Sequence, residues 1–116
     1  MTDDSVWLSV PDFAEQLGIT ASKVRDMVRE GELLSVRRGE RQTVQIPAAF
    51  IVDGEEGPTV LPTLRGTLTL LRDAGFGDAE AADWLMSDEP ELGMSPLAAL
   101  REGRRAHVRR IAQAML

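Results

Sequence analysis

Apolar residues recur at helical spacing near the start of the chain. Val10, Phe13, Ala14 and Leu17 stand at i, i+3, i+4 and i+7 and form one stripe. Ser9 precedes the stripe as an N-cap, and Asp12 three residues later makes a variant of the capping box. Pro11 sits in the first turn, where its missing N–H costs nothing, and Gly18 ends a helix over Val10–Leu17. Trp7 and Leu8 precede the cap and staple the chain, with Trp7 read as a core residue. Ile19-Thr20 make a tight turn, and Thr20 caps a second helix over Ala21–Glu30 that Gly31 stops. Ala21, Val24, Met27 and Val28 face inward there, leaving Ser22, Lys23, Arg25, Asp26 and Arg29 outward. The period then changes to two. Leu34 and Val36 alternate with Ser35 and Arg37, and Val44 and Ile46 alternate with Thr43 and Gln45. Two strands, Leu34–Arg38 and Thr43–Ile46, therefore flank the turn Gly39-Glu40-Arg41-Gln42, with one apolar face for the helices.

Two short helices, a tight turn and an Arg-bearing hairpin follow the pattern of a winged helix-turn-helix. Beyond it, Pro47 starts a short helical turn through Phe50. Phe50-Ile51-Val52 and Thr59-Val60-Leu61 then read as a second small hairpin or an ordered connector. Pro62 opens a helix with the stripe Leu64, Leu68 and Leu71, stopped by Gly75. Asp78 caps the next, which carries Ala81, Ala82, Trp84 and Leu85. Ser95-Pro96 opens a short turn through Leu100. Gly103 leads into Arg104–Met115, where Ala106 or His107, Val108, Ile111, Ala112 and Met115 supply the inner side. The expected fold is mainly α with a small β-hairpin wing: a winged helix-turn-helix over 6–61, then a helical bundle over 62–116.

Composition allows a folded core, since 43% of the 116 residues are hydrophobic. With no cysteine, disulfides and thiolate metal sites are excluded, as suits a reducing compartment. No apolar run reaches the roughly 20 residues that span a bilayer. Met1-Thr2-Asp3-Asp4 is acidic where a secretory signal would be basic, so the expectation is a soluble, cytoplasmic protein with no membrane partner.

The net charge of −6 runs against nucleic-acid binding until its distribution is read. Of 13 basic residues, Lys23, Arg25, Arg29, Arg37, Arg38 and Arg41 fall in the second helix and the hairpin. Arg101, Arg104, Arg105, Arg109 and Arg110 gather near the C-terminus. Screening confines surface charges to about 8–10 Å at ordinary salt, so a basic face can coexist with acidic ones. Arg25 and Arg29, at i and i+4, can reach along a major groove together. Ser22 or Lys23, near the helix N-terminus, can take a phosphate or base edge. Arg37, Arg38 and Arg41 surround the wing tip, from which a wing contacts backbone or minor groove. The plainer alternatives are a solvated helix face with Asp26 pairing Arg25 or Arg29, and a hairpin edge kept soluble by charge.

Catalytic chemistry is not expected. His107 is the single histidine, so a metal site or His-based triad lacks partners, and no cofactor is implied. Asp88, Glu89 and Glu91 gather beside Pro90 as solvated acids, and the glycines form no phosphate loop.

The run Leu8–Ile19, with Ser22-Lys23-Val24 and Glu30-Gly31-Glu32-Leu33, resembles MerR- and excisionase-type winged helices. A resemblance covering nearly the whole chain rests on Ser22-Lys23-Val24, Arg29-Glu30-Gly31, Val36-Arg37-Arg38, Ile46-Pro47 and Ala82-Asp83-Trp84-Leu85. It is to an actinobacterial family of small DNA-binding proteins that pair a winged helix-turn-helix with a helical C-terminal domain of unknown function. That resemblance implies double-stranded DNA as partner, Lys23, Arg25, Arg29 and the wing arginines as contacts, and no catalysis. Trp84-Leu85, Pro90, Leu92-Gly93, Pro96-Leu97 and Leu100 also resemble the helical domain of Xre/MbcA/ParS-type antitoxins, which implies dimerisation and a protein partner. Two functions therefore stand at this point. The first is a DNA-binding transcriptional regulator or architectural factor, with a homodimer through the C-terminal helices as one arrangement. The second is an interaction module, antitoxin-like or kinase-regulated, with Thr2 beside Asp3 and Asp4 open to modification.

Overall fold

In the computed structural model, which describes residues 6–116, Ser9 Oγ accepts a hydrogen bond from the Asp12 N–H at 3.3 Å and opens α1, Val10–Leu17. Thr2, Asp3 and Asp4 lie outside the described residues. Gly18, at φ 72°, closes α1: its N–H donates to Glu15 O, and the Ile19 N–H reaches back to Ala14 O. This left-handed closure suits glycine, which carries no Cβ to clash. Thr20 Oγ1 then accepts from the Lys23 N–H at 3.1 Å to start α2, Ala21–Arg29. The same closure ends α2, with Gly31 at φ 83° and the Glu32 N–H donating to Met27 O.

The first wing strand is shorter than the alternation suggests, the second is one residue longer, and a third strand joins them. β1 (Trp7–Ser9), β2 (Val36–Arg38) and β3 (Thr43–Pro47) form one antiparallel sheet in the order β1-β3-β2. Trp7 and Leu8 are thus strand residues, paired with Pro47 and Ile46. Leu33 and Leu34 are fully buried but precede the wing strand. The expected single apolar face is not what the register produces. Arg38 pairs with Thr43 and Val36 with Gln45, so Val36 lies on one face and Val44 and Ile46 on the other. The four-residue turn sets this parity, because a register offset of one residue exchanges faces. Ile46 is fully buried on its side, while Val36 is half-buried against the core on the opposite side.

Ala48–Phe50 make a 3-10 turn. β4 (Ile51–Gly54) and β5 (Gly57–Val60) follow as a separate antiparallel hairpin. Four helices complete the chain: α3 (Leu64–Asp73), α4 (Asp78–Met86), α5 (Pro96–Arg101) and α6 (Arg105–Gln113). Gly77, not Asp78, is the N-cap of α4; its N–H donates to Glu80 Oε1 at 3.2 Å, and Asp78 begins the first turn. On α6, Val108 and Ala112 are buried, His107 and Ile111 half-buried, and Ala106 exposed; Met115, just past its end, is half-buried.

One hydrophobic cluster joins both halves, running from Phe13, Val24, Leu34, Ile46 and Phe50 to Leu64, Leu68, Leu85, Leu97 and Val108. Arginines of the helical half reinforce it. Arg72 donates to Gly31 O at 3.1 Å and Leu33 O at 3.4 Å, just past the end of α2. Arg101 Nη1 donates to Ala49 O and Ile51 O, both at 2.7 Å. Arg65 pairs with Glu32 at 3.3 Å. No helix among the described residues is long and apolar enough to cross a membrane.

Candidate nucleic-acid interface

Helix α2 buries Val24 and half-buries Ala21, Met27 and Val28, which turns Ser22, Lys23, Arg25 and Arg29 to solvent. The amphipathic spacing alone dictates this orientation. Arg25 and Arg29 lie one turn apart and line a single groove of about 450 Å³. Its other walls are Ser9, Val10 and Pro11 at the start of α1, Val28, Ser35, and Thr43 and Val44 of the wing. The floor is apolar, the rim carries hydroxyls, and two guanidinium groups stand on one side. Neither the α1 start nor Ser35 and Thr43 was singled out by sequence. The cap at Ser9 is a signal for the α1 start alone; Ser35 and Thr43 reach the groove only through the fold.

Arg29 forms a surface ion pair with Asp26. The Arg29 side chain remains 72% exposed. Exposed pairs of this kind contribute about 0–1 kcal/mol and are screened by salt, so a phosphate can displace the carboxylate. Lys23, Arg25, Arg37 and Arg41 are exposed and have no ion pair among the described residues.

The structure separates the wing arginines. Arg37 shares a face with Val44 but does not itself line the groove. Arg38 points from the opposite face, and its guanidinium lies 4.1 Å from the centroid of the Trp7 ring. Trp7 is half-buried and packed against the core, and its ring also serves as a platform that holds Arg38 by a cation–π contact. Arg41 sits in the turn itself. Gln42 there adopts φ 51°, and both its N–H and its Nε2 donate to Gly39 O. Ser22 is exposed at the N-terminal end of α2 and does not line the groove.

The C-terminal basic cluster also divides. Arg101 is committed to the carbonyls described above. Arg104 donates to Leu92 O at 3.0 Å and lies 3.3 Å from His107 Nδ1. Only Arg105, Arg109 and Arg110 of the five stand exposed without a hydrogen bond or ion pair among the described residues.

Two family models match the chain. Residues 1–51 match the family model described as "DNA-binding protein Rv2175c, wHTH domain". Residues 61–116 match "Rv2175c C-terminal domain of unknown function". The β4–β5 hairpin fills most of the interval between the two. The chain is 35% identical over 124 residues to DNA-binding protein Rv2175c of Mycobacterium tuberculosis (strain ATCC 25618 / H37Rv), covering 97% of this chain and 82% of that protein. The NMR structure of Rv2175c superposes with a TM-score of 0.79 at 36% identity, covering 99% of this chain and 84% of that one. With both halves matched in order and the fold shared along nearly its whole length, this chain belongs to the Rv2175c family of winged helix-turn-helix proteins with a helical C-terminal domain.

Proposed function

We propose that this chain is a non-catalytic, cytoplasmic protein that binds double-stranded DNA and serves as a transcriptional regulator or small architectural factor. The relative named DNA-binding protein Rv2175c supports the partner. The observation that carries the reading is the groove in which Arg25 and Arg29 face Thr43 and Val44 of the wing. In this reading α2 enters the major groove, where Arg25 and Arg29 address base edges and Ser22 and Lys23 meet phosphate at the helix N-terminus. Arg37 and Arg41 hold the adjacent backbone, and Arg38 joins them on leaving Trp7. Residues 6–61 form the DNA-binding part and 62–116 the helical support, through which two copies can associate.

The test is fluorescence anisotropy of wild type and the R25A/R29A variant on a pool of random duplexes, repeated across salt. Wild-type log K falls with log salt by about 0.9 for each phosphate contacted. The double variant should fold normally and bind at least ten-fold more weakly. Unchanged affinity in a folded R25A/R29A protein refutes the interface, and a salt-independent wild-type affinity refutes the role of the wing.

A further inference from the structure

A second groove, of about 410 Å³, lies between the first turns of α3 and α6. Its walls are Pro62, Thr63, Gly66 and Thr67 with Leu70 on one side, and Arg105, Ala106 and Arg109 on the other. None of these residues belongs to α2 or the wing, and no carboxylate is among them. We infer that this groove is a binding site for a small dianionic ligand, a phosphomonoester with a compact apolar body.

Four observations converge on that chemistry. Arg105 and Arg109 are one turn apart, exposed, and without a hydrogen bond or ion pair among the described residues. The placement of Arg105 opposes the helix dipole: α6 opens with Arg104 as its N-cap and Arg105 as its first residue, has no side-chain cap and carries no acid in its first turn. Cations at a helix N-terminus are unfavourable unless an anion offsets them, and the first N–H groups of a helix have no intrahelical acceptor. The facing helix α3 likewise has no side-chain cap. Gly66 is the fourth. A helical glycine costs about 0.5–1 kcal/mol relative to alanine. No packing contact requires it here, because a Cβ would meet nothing within 4 Å. What the glycine does is keep the groove open over the α3 backbone. Two guanidinium forks balance the charge of a phosphomonoester, which is close to −2 at neutral pH. Pro62, Leu70 and Ala106 offer carbon surface to the rest of the molecule. The groove is concave and near the lower end of small-ligand pocket volumes, which fits a small molecule better than the convex backbone of a duplex.

The experiment is an NMR titration of the full chain with phenyl phosphate, with benzoate as the singly charged control. Phenyl phosphate should shift the amides of residues 63–67 and 105–109 saturably and bind at least ten-fold tighter than benzoate. That preference should grow between pH 5 and pH 7.5, as the second phosphate proton, with a pKa of about 6, is lost. The R105Q/R109Q variant should keep a folded spectrum and lose at least ten-fold in affinity. Gly66→Leu, which favours the helix and fills the groove, should abolish the shifts, while R25A/R29A should bind phenyl phosphate as wild type does. Shifts scattered over other surface arginines, or affinity unchanged in R105Q/R109Q and G66L, overturn the site. Displacement of phenyl phosphate from these amides by a short DNA duplex, with R105Q/R109Q weakening duplex binding, assigns the groove to DNA backbone and overturns the small-ligand reading.

Discussion

Replacing Arg72 by methionine tests whether the two halves of the chain fold as one unit. The change keeps the aliphatic stem and removes the guanidinium that holds Gly31 O and Leu33 O at 3.1 and 3.4 Å. A hydrogen bond from a charged donor contributes roughly 1.5–3 kcal/mol, and an orphaned carbonyl adds a desolvation cost. The side chain is 35% exposed and one of the two bonds is long, so water compensates part of the loss. The Asp78 carboxylate, 3.9 Å away and itself 48% exposed, adds little. A total of about 2 kcal/mol is expected. For 116 residues the unfolding entropy is about 0.24 kcal/mol/K, so the melting temperature should fall by about 8 °C. Trp7 in β1 and Trp84 in α4 provide an optical probe in each half. In single-tryptophan backgrounds, W7F and W84F, the R72M shift should be the same for both and should match the loss of far-UV circular dichroism. Two separate transitions, or a shift confined to Trp84, would refute the shared core.

Three further outcomes follow from α2 and its two ends. Thr20→Ala removes the cap of α2 and should cost about 1 kcal/mol by urea denaturation, without changing the salt slope of DNA binding. Asp26→Asn releases Arg29 and removes a negative charge from the interface. Duplex affinity should rise about two- to five-fold at low salt, and the gain should vanish at high salt. Gly31→Ala forces a side chain into φ 83° and sets its Cβ 2.9 Å from Arg72 Nη1. It should destabilise by at least about 1 kcal/mol, and by less in an R72M background, which a double-mutant cycle measures.

The helix-turn-helix was legible because its signals are local. Ser9, Gly18, Thr20 and Gly31 each act within one turn of themselves, and all four cap or close the helices expected of them. The wing turn was legible for the same reason. Its face assignment required counting across the turn: with Arg38 opposite Thr43, even-numbered residues of one strand meet odd-numbered residues of the other. β1 was hidden because a three-residue strand has no periodicity to display, and its partners Ile46 and Pro47 come from the far side of the wing. At the candidate site, the identities of the arginines were legible and their grouping was not. Arg101 looked like one charge in a basic run, yet its carbonyl partners lie 50 and 52 positions earlier in the chain. Arg38 likewise faces a tryptophan that only the sheet brings near. Such pairings are set by tertiary packing, which local patterning does not encode.

Helix α3 touches both grooves' surroundings. Thr63 and Gly66 at its start line the α3–α6 groove, and Arg72 near its end grips the chain where α2 stops. At 1.5 Å per residue these ends stand about 14 Å apart on an unbroken helix without proline. The helix therefore works as a strut. One end borders the α3–α6 groove and the other is hydrogen-bonded to the segment that follows α2, so a single rigid element spans the two halves of the chain.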